Sequence, residues 1–378
     1  MTPHIAARLG YVALYAAVGA SFPYLNVYYQ ERGLSLATIG ALVALAAGAG
    51  LVAAPVWGAL ADRFAGSRII LVAASLLAAV GAVALTLARD PIPVAFAVGL
   101  MAFAFAGLGP TLDARALETV EADRDRWAHM RAWGSGSFIV SVAITGFLIE
   151  RTGTATIFVI YVLALLAVAV VTVPLRGNTE GARLPRLSGI AAVLRHPPLV
   201  RFLVAALLVW SASMSINWYF SIHLLDLGAS GELVGSAWAV GAVVEIPIMS
   251  AYPWLVARFG SERLIVAGAA AFALRAVLLL VVTDPVLAAG TMAIHGVGFA
   301  LVLVGGVTYV ARHAPPATAA TAQGVLSAVV VSVALMIGPS VGSWVAGASG
   351  VQAMFAVALA ASLLGVPAVW LATRVRTA

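Results

Sequence analysis

Glu245, Arg275 and His295 are ionisable residues set deep inside long runs of apolar sequence. A charge at the centre of a hydrocarbon layer costs at least ~2.5–3.5 kcal/mol, so such groups normally face a cavity and have a partner. One acid, one base and one imidazole on three successive apolar runs have the make-up of a proton relay. In that reading Glu245 changes protonation, Arg275 tunes its proton affinity and His295 bridges the two. The same residues also suit a static ion-pair network, and spacing leaves both readings open. Asp113 and Arg131 form a second set, eighteen residues apart (131 − 113) across a short polar connection. The planar fork of Arg131 suits a carboxylate, which it can hold through two parallel hydrogen bonds. Both residues also lie near the ends of their apolar runs, where snorkelling to the interface is the competing reading, and Arg115 is a rival to Arg131. Tyr24, Asn26, Asn217 and Phe138 supply aromatic and amide groups for a substrate pocket. Asparagines can equally serve as interhelical glue, and aromatics as an interface belt.

These residues need elements that cross a membrane. The 378-residue chain is 63% hydrophobic and 10% charged, against roughly 25% charged for soluble domains. Apolar runs of about twenty residues recur throughout, long enough as helices to cross a ~30 Å core. They lack the alternation of barrel strands. Twelve helices are predicted near 8–29, 36–60, 68–88, 92–114, 131–149, 155–174, 199–224, 232–254, 264–282, 286–311, 318–345 and 352–372. The first run is too long for a signal peptide's apolar region and is read as a span. Fifteen arginines fall in one set of connections and three, Arg32, Arg89 and Arg151, in the other. The positive-inside rule then predicts both termini in the cytoplasm, which requires an even number of spans. The net charge of +6 is therefore a topology signal and not a nucleic-acid footprint.

The chain contains no cysteine and no lysine. Disulfides, thiolate metal sites and the lysine-bearing phosphate loop of ATPases are excluded. The expected energy source is a proton gradient, with no cofactor and no metal.

The longest polar stretch follows the sixth predicted helix and reads as a linker. The predicted organisation is a six-helix half over residues 1–175, a linker over 176–197 and a second half over 198–378. A shift of 195 residues aligns Tyr24 with Tyr219, Gly33 with Gly228, Gly40 with Gly235, Arg63 with Arg258, Phe64 with Phe259 and Arg68 with Arg263. Six matches at one offset point to duplication, the architecture secondary transporters use.

The segment Gly58-Ala-Leu-Ala-Asp62-Arg63-Phe-Ala-Gly66-Ser-Arg68, between the second and third predicted helices, resembles the loop at that place in major facilitator superfamily transporters. Its echo, Leu255-Val-Ala257-Arg258-Phe-Gly260-Ser-Glu-Arg263, has alanine in place of the acid. Ser21-Phe-Pro23-Tyr24, Pro55-Val-Trp57-Gly58, Leu112-Asp113-Ala114, Met130-Arg131-Ala132-Trp133-Gly134, Glu245-Ile-Pro247 and His295-Gly296 are similar to the phenylpropionate permease and lactose permease branch.

The resemblance implies an all-α polytopic membrane protein of twelve helices in two pseudo-symmetric halves, and not an enzyme. It implies that Asp113 and Arg131 engage substrate and that Glu245, Arg275 and His295 couple transport to protons. It also implies that Gly58, Asp62, Arg63, Arg68, Arg258 and Arg263 belong to conformational loops. The branch carries a second acid one turn beyond the histidine, where this chain has Gly298, which leaves more of the coupling to Glu245. The expected function is proton symport of a small organic solute, an aromatic or hydrophobic carboxylate. Sugar or nucleoside symport and proton-coupled export of drugs or metabolites are the alternatives. The expected partners are a small-molecule substrate, protons and the lipid bilayer, with no nucleic acid, for a monomer in a bacterial inner membrane.

Overall fold

The computed structural model describes residues 1–63, 69–120, 123–175, 187–315 and 318–374, and these form helices and no strands. The helices are α1 (Pro3–Ser21), α2 (Leu25–Glu31), α3 (Leu36–Arg63), α4 (Ile69–Leu87), α5 (Pro91–Phe105), α6 (Leu108–Thr119), α7 (Arg124–Thr152) and α8 (Thr156–Val171). After them come α9 (Leu187–Leu194), α10 (Pro197–Asp226), α11 (Gly231–Phe259), α12 (Ser261–Val281), α13 (Pro285–His313) and α14 (Ala319–Ser327). A π-helical turn, Ala328–Val333, then leads into α15 (Ala334–Thr373).

Ten stretches of the described residues are long and apolar enough to cross a membrane. One of them, Thr321–Thr373, is 53 residues long and is broken at Gly350, whose φ of +84° is not helical. It therefore supplies two of the predicted helices. The sixteen-residue α8 supplies the sixth, shorter than its predicted extent of 155–174. Large apolar side chains such as Ile92, Leu87 and Phe96 are at least 70% exposed, as expected where the surrounding solvent is lipid.

Two predicted helices are each in two pieces. The helix predicted at 8–29 is α1 and α2, and the break contains Pro23, which lacks the N–H a continuing helix needs. The helix predicted at 92–114 is α5 and α6. At that break the Gly107 N–H bonds to Ala104 O and leaves the Phe103 carbonyl without its helical donor. Trp57 Nε1 donates to this carbonyl at 2.8 Å, so a side chain from α3 satisfies the backbone group that the break releases.

Contacts divide the chain into two compact units, 1–32 with 45–184 and 33–44 with 185–378. In the first, α1 packs against α7 and α8, and α4 against α5 and α8. Ser137 and Ser141 of α7 donate to the Val12 and Ala16 carbonyls of α1 at 2.6 and 2.7 Å, hydroxyl bonds of the kind that join helices in lipid. In the second, α10 packs against α15, and α12 and α11 against α13, around a core that includes Phe202, Trp210, Phe272 and Tyr309. Within residues 176–197, expected as a linker, lies the short helix α9.

The repeat is visible in backbone geometry. Gly33 and Gly228, 195 apart, follow α2 and α10 with φ of +76° and +87°. Gly153 and Gly350, 197 apart (350 − 153), have φ of +83° and +84°. A side chain is strained in that region, which fixes glycine at matched helix ends. Tyr24 and Tyr219 also match in role. Tyr24 donates its hydroxyl to the Val142 carbonyl of α7 at 2.9 Å, and the Tyr219 hydroxyl bonds to Ser343 of α15.

Candidate functional site

In the first unit, α1, α6 and α7 bring five side chains together. Tyr11 and Tyr15 lie one turn apart on α1, and Trp127 and Arg131 one turn apart on α7. This i, i+4 spacing puts each pair on one helix face. Asp113 comes from α6. The Tyr11 hydroxyl donates to Asp113 Oδ1 at 2.6 Å and accepts from Trp127 Nε1 at 3.0 Å. Arg131 Nη2 donates to the Tyr15 hydroxyl at 2.9 Å, and its Nε lies 3.8 Å from Asp113 Oδ1. The guanidinium carbon is 5.7 Å from the Trp127 ring and 6.0 Å from the Tyr15 ring, both within cation–π range. Gly134 makes room for Tyr15, because a Cβ there would stand 2.7 Å from the ring.

Asp113 and Arg131 thus form a charge-balanced pair whose side chains are 37% and 47% exposed. At that exposure the pair contributes only ~0–1 kcal/mol, so little is lost if a ligand intervenes. Among the described residues Asp113 Oδ2 and Arg131 Nη1 make no hydrogen bond. The site therefore offers a free carboxylate oxygen as acceptor, guanidinium N–H groups as donors and an indole beside them. Tyr11, Tyr15 and Trp127 were not among the predicted site residues; their one-turn spacing was the available signal. The rival Arg115 is buried, with Nη1 3.3 Å from Glu118 Oε1, so its charge is countered within its own helix.

In the second unit, Arg275 of α12 is 1% exposed. Its Nη1 donates to Asn217 Oδ1 of α10 at 2.5 Å, and its Nη2 lies 3.1 Å from the Met292 sulfur of α13. Its guanidinium carbon sits 4.7 Å from the Phe220 ring centre. Asn217 Nδ2 and His295 Nε2 are 3.3 Å apart, and the imidazole stacks on Phe272 at 5.6 Å. The amide of Asn217 therefore links Arg275 to His295. In the expected relay His295 bridges Glu245 and Arg275; the group found between His295 and Arg275 is the Asn217 amide. Among the described residues, neither Glu245 nor Arg275 forms an ion pair.

Glu245 is half-buried on α11. Helix contact explains its place. A Cβ on Gly296 of α13 would stand 2.5 Å from the Gly241 carbonyl and 3.1 Å from Val244 Cβ, so α11 and α13 meet almost backbone to backbone. That contact places Val244, the neighbour of Glu245 in the chain, against the turn of α13 that carries His295, while Arg275 Nη1 is taken by Asn217. Asn217, expected to bind substrate, lies in this buried network, 4% exposed.

The remaining predicted residues lie elsewhere. Tyr24 and Asn26 are 2% and 3% exposed in the interior of the first unit. The Tyr24 hydroxyl is engaged by Val142, and Asn26 Oδ1 accepts from the Val27 N–H at 2.9 Å, so neither joins the Asp113 cluster. Phe138, two turns along α7 from Arg131, is half-buried. Gly58 and Arg63 lie in the last turns of α3, with Arg63 exposed. The Asp62 side chain and Arg68 lie outside the described residues. In the echo, α11 and α12 meet at Gly260, whose φ is +81°. There Arg258 caps the rings of Trp254 and Phe259 at 5.9 and 5.7 Å, and Arg263 is exposed.

Residues 4–357 match the MFS_1 like family. The maltose permease of Geobacillus stearothermophilus is 31% identical over 341 residues, covering 89% of this chain and 84% of that protein. The probable 3-phenylpropionic acid transporter of Escherichia coli strain K12 is 26% identical over 266 residues, 64% of this chain and 65% of that one. The crystal structure of the nucleoside transporter NupG superposes with a TM-score of 0.87 at 15% identity, covering both chains in full. A bacterial homologue of the iron transporter ferroportin in its inward-facing state gives 0.77 at 14% identity, over 99% of each chain. At such identities the likeness to the solved structures concerns the fold alone. With a family match over nearly its whole length and a duplicated helical fold, the chain belongs to the MFS_1 like family, as a multi-pass membrane transporter of small solutes and not an enzyme.

Proposed function

We propose that this transporter takes up a neutral, polyhydroxylated solute of the disaccharide class together with protons. The observation that carries this reading is the charge-balanced Asp113–Arg131 pair beside Trp127. A sugar hydroxyl both donates and accepts, so it matches the Asp113 acceptor and the Arg131 donor, and the indole offers its apolar face a surface. An anionic solute at Arg131 would meet the like charge of Asp113, whose Oδ1 lies 3.8 Å from Arg131 Nε. The second arginine expected to attract an anion, Arg275, is enclosed and donates to Asn217. The maltose permease relative, matched over most of both chains, supports the same class.

Glu245 is the proton carrier in this reading. It is a carboxyl group within a span, with no ionic partner among the described residues, on the helix packed against α13, which carries His295. The arginine asymmetry supports a bacterial inner-membrane protein with both termini in the cytoplasm. An aromatic carboxylate is the second reading, favoured by the unengaged Nη1 of Arg131 and by the phenylpropionic acid transporter relative.

Thermal unfolding of the purified protein with added ligand tests the class. A ligand at about a hundred times its Kd stabilises the folded state by ~2.7 kcal/mol. Maltose is expected to raise the midpoint, and Asp113→Asn to abolish the rise. Stabilisation by 3-phenylpropionate and not by maltose would reverse the order of the two readings.

A further inference from the structure

The second unit contains a cavity, separate from both polar clusters, of about 180 Å³. Its floor includes Phe202 and Trp210 of α10 and Val302 of α13, each at most 3% exposed. Trp210 is held in place by Phe299 and Phe272, edge to face at 5.4 and 6.0 Å. The mouth carries Gln323 and Ser327 of α14, and one wall is Val330, in the π-helical turn. An apolar cavity of ~150 Å³ stays dry and accepts benzene, so a slightly larger one admits a substituted or fused ring.

The mouth adds chemical selectivity. Gln323 Nε2 donates to the Val307 carbonyl at 2.8 Å, which fixes the orientation of the amide. Its oxygen remains an acceptor at the edge of an aromatic-floored cavity. The cavity holds no charged side chain, so an ion gains nothing there. A π turn interrupts the α-helical ladder and is often found at functional positions. An occupant of this cavity would press on that turn through Val330.

We propose that the cavity binds a small neutral aromatic molecule with one hydrogen-bond donor. Its ring lies on Trp210 and Phe202, and its donor meets Gln323 Oε1. Because the turn between α14 and α15 forms the wall, such a ligand also restrains that turn.

The absence of native cysteine makes a direct test possible. Ser327→Cys places a single thiol at the mouth. Val204→Cys, at a position 62% exposed on α10, reports any general effect of the probe on the detergent-solubilised protein. Indole at roughly ten times its Kd is expected to slow maleimide labelling of Ser327→Cys about tenfold, since only vacant sites react, and to leave Val204→Cys unchanged. 1-Methylindole, which lacks the donor, is expected to protect more weakly. Gly306→Leu projects into the cavity, where a Cβ would meet Phe202 and Leu326 at 3.6 and 3.7 Å, and is expected to abolish protection. If that variant does not fold, Gln323→Leu is expected to reduce protection by indole to the level of 1-methylindole. Equal slowing at both cysteines, or full protection in either cavity variant, would overturn the proposal.

Discussion

Replacing Asn217 by leucine tests the buried network in the second unit. The side chain is nearly isosteric and 4% exposed, so packing changes little. Two interactions are lost: the 2.5 Å bond from Arg275 and the 3.3 Å contact with His295. A hydrogen bond to a charged group contributes ~1.5–3 kcal/mol and a neutral one ~1, so Asn217→Leu is expected to cost about 2.5–4 kcal/mol. Arg275→Met alone removes a buried cation that has no carboxylate among the described residues, and its cost is expected to be far smaller. The double variant is then expected to be more stable than Asn217→Leu by itself, because no unsatisfied guanidinium remains. The cycle is read from thermal or denaturant unfolding of the four proteins in one detergent, with a coupling of ~1.5–3 kcal/mol expected. Additive losses would mean that Asn217 does not satisfy Arg275.

Four further predictions concern the site and its supports. Tyr11→Phe retains the ring but removes the 2.6 Å bond to Asp113, so the apparent KM for substrate uptake is expected to rise several-fold with little change in protein stability. Arg131→Lys keeps the charge but loses the planar fork that reaches both Tyr15 and Asp113, and a sharp rise in KM in transport assays is expected. Gly296→Ala places a methyl 2.5 Å from the Gly241 carbonyl and is expected to cost ~1–3 kcal/mol in unfolding experiments. Gly228→Ala, at φ +87°, is expected to cost ~1–2 kcal/mol, with Gly228→Asn costing less.

The fold was legible because lipid imposes a simple rule on sequence: long uncharged runs, with arginines in the connections. Matched glycines at Gly33 and Gly228 revealed the duplication, and their shared positive φ gives the physical reason for the match. The helix break at Gly107 was not legible, because a glycine in an apolar run is ordinary and its consequence depends on Trp57 reaching the Phe103 carbonyl. Charged members of the site stood out because they are rare at such depth. Their neutral partners did not. Tyr11, Tyr15 and Trp127 look like any aromatics of a membrane helix until α1 and α7 are packed. The contact of Asn217 with Arg275 was hidden for a related reason: charge draws attention to acids and bases, whereas the guanidinium is reached by an amide from α10.

In the proposed cycle a neutral sugar is carried with protons and Glu245 links the two fluxes. Reconstituted vesicles with an imposed inward proton gradient and radiolabelled maltose report on both. Uphill accumulation is expected in the wild type. In Glu245→Gln that accumulation is expected to be lost, with maltose exchange retained in the absence of a gradient. Unchanged uphill uptake in Glu245→Gln would contradict the coupling role. Accumulation of 3-phenylpropionate in place of maltose would contradict the substrate class.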